Sequence, residues 1–259
     1  MDVAALRAEL NKIPPVTRFV AGSMLAVTLP VMVGVVSVYK VLYHRDFVLR
    51  QFEIWRVWST FFYGGSGINF LFDFVMLYRT SDGLESQHFL HRSADYAWQL
   101  LLASLGLLAL NQPLGTHILH RPFLMMLIYL SSRLSPDALF SLFGLATIQA
   151  RWWPYVMLVM DGMMGGQAAL AQSLTGLITG HAWYLLFWRD QAARQSALGR
   201  APQWLQRLMP YTSAAPGTTG PQPRGFGAAP RIPVTNPQTA AAAAPRGYSW
   251  GTGNRLGGE

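Results

Sequence analysis

The chain has 259 residues, 51% of them apolar and only 12% charged, half the ~25% charge of typical soluble domains, which excludes an ordinary soluble globular protein and points to a membrane. The absence of cysteine excludes disulfide scaffolds, thiolate catalysis and Cys-ligated metals. The net charge of +8 is spread between apolar stretches and along the C-terminal part, with no concentrated patch, so nucleic acid is not expected as a partner.

In chain order, Phe19 to Tyr39 is free of charge for 21 residues, which at ~1.5 Å per residue covers the ~30 Å of a hydrocarbon core. It reads as an uncleaved first span, since it exceeds the apolar core of a cleavable signal and no cleavage pattern follows it. Ile68 to Leu84 is a weaker second span carrying Asp73 and Arg79, and Tyr96 to Thr116 is a charge-free third. Pro122 to Ser132 makes a short fourth. Trp152 to Trp188 holds one charge, Asp161, in 37 residues; as one helix it would reach ~55 Å, too long for a bilayer. Gly165-Gly166 supplies the break, dividing a fifth span near Trp152 to Gly165 from a sixth near Ala169 to Trp188. Ser135 to Ala150 is either a seventh span or an amphipathic segment in the membrane interface, and the interface is preferred.

Six spans put both termini on one side. The 20 Lys and Arg, with Arg79 near the end of the second span counted with the loop that follows it, then divide fifteen to five in favour of that side, or seven to five without the tail, so the positive-inside rule places the termini in the cytosol. Nine of the 16 prolines fall from Pro202 onward, among Gly, Ala, Thr and Gln. Such a stretch cannot bury enough apolar surface to offset its ordering entropy. The expected organisation is a cytosolic N-terminal segment (1–18), a membrane domain (19–188) and a mostly disordered cytosolic tail (189–259).

Three further features carry chemistry. The long connection after the first span interleaves Phe47, Phe52, Ile54, Trp55, Trp58, Phe61 and Phe62 with Arg50, Glu53 and Arg56, a composition suited to the headgroup layer of the lumenal leaflet. In the sixth span Gly176 and Gly180 form a Gly-x-x-x-Gly, which lets a neighbouring backbone approach closely. His181 follows, and hydrogen bonding between helices is its ordinary role.

In combination these features resemble the Derlins, rhomboid-like pseudoproteases of the endoplasmic reticulum. The likeness rests on Ile13 to Arg18 (IPPVTR), Ile54 to Arg56 (IWR), Leu84-Glu85, Ala94-Asp95-Tyr96 and Gly176 to Leu186 (GLITGHAWYLL). It implies an all-α polytopic membrane protein, a six-helix rhomboid-like bundle with both termini cytosolic, in the membrane of the endoplasmic reticulum. It also makes Trp55 and Arg56 a lumenal-loop motif, and Gly176 and Gly180 a helix-packing motif. Active rhomboids use a Gly-x-Ser-Gly serine on span four and a histidine on span six. Here Gly64-Gly65-Ser66-Gly67 lies at the end of the first loop, where it reads as a turn, and the histidine position falls on Ser173. His181 stands eight residues later, ~12 Å along a helix. No catalytic residue, metal or cofactor is therefore expected.

Near the C-terminus, SWGTGNRLGGE combines two apolar anchors with flexible glycines, a pattern suited to adding a strand to a partner's sheet edge. It resembles the SHP box (249–257) through which Derlins dock onto the AAA+ unfoldase valosin-containing protein, with Trp250, Gly251, Gly253 and Leu256 in contact. Ser249 stands where such boxes commonly carry phenylalanine. The expected function is a non-enzymatic part of endoplasmic-reticulum-associated degradation. The chain would assist retrotranslocation of misfolded clients beside a ubiquitin ligase complex, with homo-oligomers possible. Its short fourth and fifth spans would thin the surrounding lipid, and Asp73, Arg79, Asn111, Gln112, Asp161, Gln167 and Gln172 are candidates for a polar lining. Two other classes stay open: an active rhomboid serine protease, and a client-binding receptor with no conduit role.

Overall fold

A computed structural model describes residues 12–142, 146–189 and 197–209. All lie in the first of two compact units, Met1–Phe226; the second, Gly227–Glu259, is outside the described residues. Among the described residues the fold is predominantly helical. Helix α1 is Pro15–Met32, followed by a 3-10 turn Val38–Lys40, short helices α2 (Arg45–Arg50) and α3 (Trp55–Phe62), then α4 (Gly67–Gly83), which widens into a π-turn at Leu84–His88. Next come α5 (Ser93–Asn111), α6 (His120–Leu134), a hairpin of β1 (Leu139–Leu142) and β2 (Ala146–Gln149), α7 (Trp153–Phe187) and α8 (Gln203–Leu208). Two of these, Pro15–Met32 and Ser93–Asn111, are long and apolar enough by themselves to cross a membrane.

The first helix is displaced from the charge-free run that announces it. It begins at Pro15, whose missing N–H costs nothing in a first turn, and ends at Met32, eight residues before the next charge, Lys40. Pro30 lies in its last turn, and Gly34 takes φ +80° just beyond. Absence of charge sets where a segment tolerates lipid, whereas Pro and Gly set where the backbone stops being helical.

Helix α6 is the hub. His120, every residue from Pro122 to Leu130, and Ser132 are buried, and α6 packs on α7, α4, α3 and α5. A helix apolar on all sides is one enclosed by its neighbours. Helix α7 is two helices joined at Gly166, which takes φ +69° and ψ −162°. The fold-back expected at Gly165-Gly166 therefore has its backbone break at the second glycine. Both α4 and α7 lean on α6, yet they share no extensive packing with each other.

Residues 135–150, expected as a span or, by preference, an amphipathic interface segment, contain a two-stranded antiparallel hairpin in which Leu139 pairs with Gln149 and Leu142 with Ala146. Strands of 4 residues are far too short to span a membrane. The beginning of the region assigned to the tail is also folded. Asp95 accepts a hydrogen bond from Ala201 N (2.7 Å), Gln99 Nε2 donates to Gly199 O (2.9 Å) and Trp98 Nε1 donates to Leu198 O (2.9 Å).

Candidate functional site

Trp55 and Arg56, adjacent in sequence, separate on α3. Trp55 is exposed beside Trp58, Ile54 and Phe52, while Arg56 is buried. Its guanidinium donates from Nη1 to Tyr39 O (2.5 Å) and Leu42 O (3.1 Å), pairs with Glu53, and lies 4.9 Å from the Phe47 ring centroid. One fork thus collects the carbonyls left open where the chain leaves its 3-10 turn and ties them to α2 and α3. The exposed part of the motif is the aromatic residue; the arginine organises the loop from inside.

The far end of α3 joins the entry to α6. Leu119 N donates to Thr60 O (3.1 Å), Thr60 Oγ1 to His117 O (2.9 Å), and His120 Nδ1 to Phe61 O (3.0 Å). Immediately beneath lies a polar cluster. Arg121 Nη1 donates to Asp73 Oδ1 on α4 (2.7 Å), and Nη2 pairs with Asp161 on the first limb of α7. Ser173 of the second limb donates its hydroxyl to the other oxygen of Asp161. The His120 Nε2 atom is buried without a hydrogen-bond partner, 3.7 Å from Asp73 Oδ2. Asp73 is 4% exposed and Asp161 5%, but the Arg121 side chain is 37% exposed. It lines a small cavity together with Leu124, Met125, Ile128, Met157 and Asp161. One guanidinium therefore bridges two helices that otherwise barely touch.

The other lining candidates disperse. Arg79 and Gln167 are exposed, and Gln172 is half-buried. Asn111 is buried and fully engaged, donating to Leu107 O and Thr175 Oγ1 (both 2.9 Å) while Thr116 Oγ1 donates to it. Gln112 donates to Tyr43 OH (2.6 Å). Of the charged candidates, only Asp73 and Asp161 meet. Sequence reasoning left Arg121 among the loop charges and passed over His120. The available signal was two acids, one base and a histidine bordering or inside apolar runs, since such charges in lipid have to find each other.

Gly176 and Gly180 face α6. A Cβ at Gly176 would collide with the Pro122 carbonyl oxygen and sit 2.8 Å from Pro122 Cα; one at Gly180 would fall 2.9 Å from Met126 O and 3.0 Å from Tyr129 Cβ. His181 receives the next turn of the same contact, its Nδ1 2.8 Å from Tyr129 OH, to which Arg133 Nε also donates (2.9 Å). Ser66 is exposed at the N-cap of α4 with no capping bond from its side chain. Ser66 and His181 are thus not set up as a nucleophile and its base, which requires hydrogen-bond reach between them. Ser173, at the position the rhomboid pattern gives to the histidine, touches a carboxylate.

At the opposite end of α1, Pro14 cannot cap the helix through its side chain. Glu85 does so from 68 positions away, accepting from Val16 N (3.1 Å), Thr17 N (2.7 Å) and Thr17 Oγ1 (2.9 Å). Thr17 Oγ1 and Ser81 Oγ lie 3.1 Å apart, as do Ser81 Oγ and Tyr96 OH, so one buried network links α1, α4 and α5. The sequence motifs Ile13 to Arg18, Leu84-Glu85 and Ala94-Asp95-Tyr96 converge there.

A family model described as "Der1-like family" matches residues 13–200. The chain belongs to the Der1-like family. It is similar to Derlin-1 of Arabidopsis thaliana, at 32% identity over 223 residues, 85% of this chain and 83% of that protein. It is also similar to Derlin-1 of Homo sapiens, at 29% over 257 residues, 95% and 96% of the two chains. A probable derlin-2 homolog of Dictyostelium discoideum is 30% identical over 207 residues, 77% and 81%. The Der1-like match spans the α1 cap, the Arg56 hub, the polar cluster and the Gly176/Gly180 contact, and reaches the stretch held by Asp95 and Gln99. Trp250, Gly251, Gly253 and Leu256, expected to bind an unfoldase, lie outside both the match and the described residues.

Proposed function

We propose that this Der1-like membrane protein is a non-enzymatic component of endoplasmic-reticulum-associated degradation, easing the passage of misfolded polypeptides through the membrane. In this reading six spans (α1, α4, α5, α6 and the two limbs of α7) cross the endoplasmic reticulum membrane with both termini cytosolic. The box at 249–257 recruits the AAA+ unfoldase valosin-containing protein, whose ATP hydrolysis supplies the work of extraction beside a ubiquitin ligase complex. Family membership supports the setting.

The mechanism rests on one observation. The first limb of α7, from Trp153 to the break at Gly166, spans ~20 Å at ~1.5 Å per residue, against the ~30 Å of a typical hydrocarbon core. Its surface toward lipid is apolar, with Val159, Met163 and Met164 exposed. Short helices draw the bilayer thin around them. Helix α6 is also short, at 15 residues, but being enclosed it meets little lipid, so the α7 limb carries the effect. A charged side chain at the bilayer centre costs ~3 kcal/mol or more, and a thinner, partly polar route lowers that cost.

The test is reconstitution of the full chain in lipid nanodiscs with imaging of the bilayer profile. The expected result is a local depression beside α7. A flat profile, together with unchanged client clearance in cells lacking the chain, overturns the proposal.

A further inference from the structure

The cluster between α4, α6 and α7 has too many acceptors. Two buried carboxylates share one guanidinium and one hydroxyl. The carbonyl of Phe61 can only accept, so the His120 nitrogen facing it carries the proton; in the neutral ring Nε2 is then another acceptor, directed at Asp73 with nothing bonded to it. What would satisfy the site is a cationic donor. Nor are these groups arranged for a metal: among the described residues no three His, Asp or Glu side chains converge as ligands.

The resident cation is also placed to leave. Arg121 is the second residue of α6, its side chain is 37% exposed, and a long arginine near a helix end can swing its head toward the interface. We propose that Asp73, Asp161 and His120 form a docking site for a basic side chain of a translocating client, a lysine ammonium or arginine guanidinium, which displaces Arg121 and uncouples α4 from α7. The exchange leaves the charge count of the buried site unchanged, so a client cation entering the membrane finds counter-charges already in place. This rests on the retrotranslocation reading and names the client chemistry that reading leaves open.

The test uses the full chain in its own membrane and two single-pass clients identical except for one intramembrane residue, Lys or Leu. D73N/D161N should slow degradation of the Lys client about tenfold more than that of the Leu client; R121Q should speed the Lys client. Equal slowing of both clients by D73N/D161N means the cluster only holds helices together and overturns the docking site while leaving the functional reading intact. If removing the whole chain changes neither client's rate, the functional reading falls and the docking site with it. Because the chain has no cysteine, one introduced at Met125 or Met157 can be paired with a client cysteine beside the test residue. The disulfide yield should be higher for the Lys client than for the Leu client and higher still in R121Q. Equal yields for the two clients overturn the proposal even if D73N/D161N does not fold.

Discussion

Arginine 56 and glutamate 85 show how single side chains replace what local sequence lacks. The loop after α1 leaves carbonyls at Tyr39 and Leu42 that its own backbone does not satisfy, and Arg56 takes both. Helix α1 begins with Pro14-Pro15, which offers no side-chain cap, and Glu85 supplies one in a buried position where a charged acceptor at a helix N-terminus is strongest. Glu85→Gln keeps one carbonyl acceptor but loses the second and the charge. The expected cost is about 1–2 kcal/mol, read as a lower midpoint in thermal unfolding of the detergent-solubilised protein. Gly176→Ala places a methyl against Pro122 backbone that cannot rotate away, whereas at Gly180 part of the obstruction is the Tyr129 side chain. Both should destabilise, by about 1–3 kcal/mol, with Gly176→Ala the worse. The same unfolding assay checks the order.

At the scale of elements, the break in α7 is the decisive event, because it turns 35 helical residues into two limbs that both contact α6. Gly166 sits at φ +69° and ψ −162°, a region used essentially by glycine alone that costs an L-residue roughly 1–3 kcal/mol. Gly166→Ala should therefore loosen the junction, and limited proteolysis should detect faster cleavage between Met163 and Gln167 than in the wild-type chain. The hairpin Leu139–Gln149 and the docked stretch Leu198–Ala201 were both beyond the reach of periodicity. Each depends on partners elsewhere: the strands on each other, the docked backbone on Asp95, Trp98 and Gln99 a hundred residues earlier. Proline and glycine content marks a stretch unable to fold alone, and says nothing about whether a helix end is waiting for its carbonyls.

At the largest scale, the described residues form a bundle around the buried helix α6, with a weak seam between α4 and α7 bridged by one arginine. A seam fastened by charge opens at a lower cost than one fastened by packing when the fastening ion can be exchanged. In the proposed reading the work of moving a client comes from a docked unfoldase, so deletion of Trp250 to Glu259 should abolish co-purification with valosin-containing protein while the α1 to α7 fold keeps its thermal midpoint. Retained ATPase would rule out the tail box as the docking element.

The amino-acid sequence by itself determined the apolar, predominantly helical character of the chain, the break near Gly166 and the family motifs. These are properties of composition and local backbone preference, written in consecutive residues. It also marked Asp73 and Asp161 as anomalous, since an acid in an apolar run stands out wherever it lies. Only the tertiary structure decided that Arg121 joins them, that Arg56 faces inward while Trp55 faces out, that Glu85 caps α1, and that the chain beyond α7 returns to α5. Each of those pairs residues 40 or more positions apart or turns on which side of a short helix meets the protein. A pairing energy depends on distance in space, and distance in space is fixed only when the whole bundle has closed.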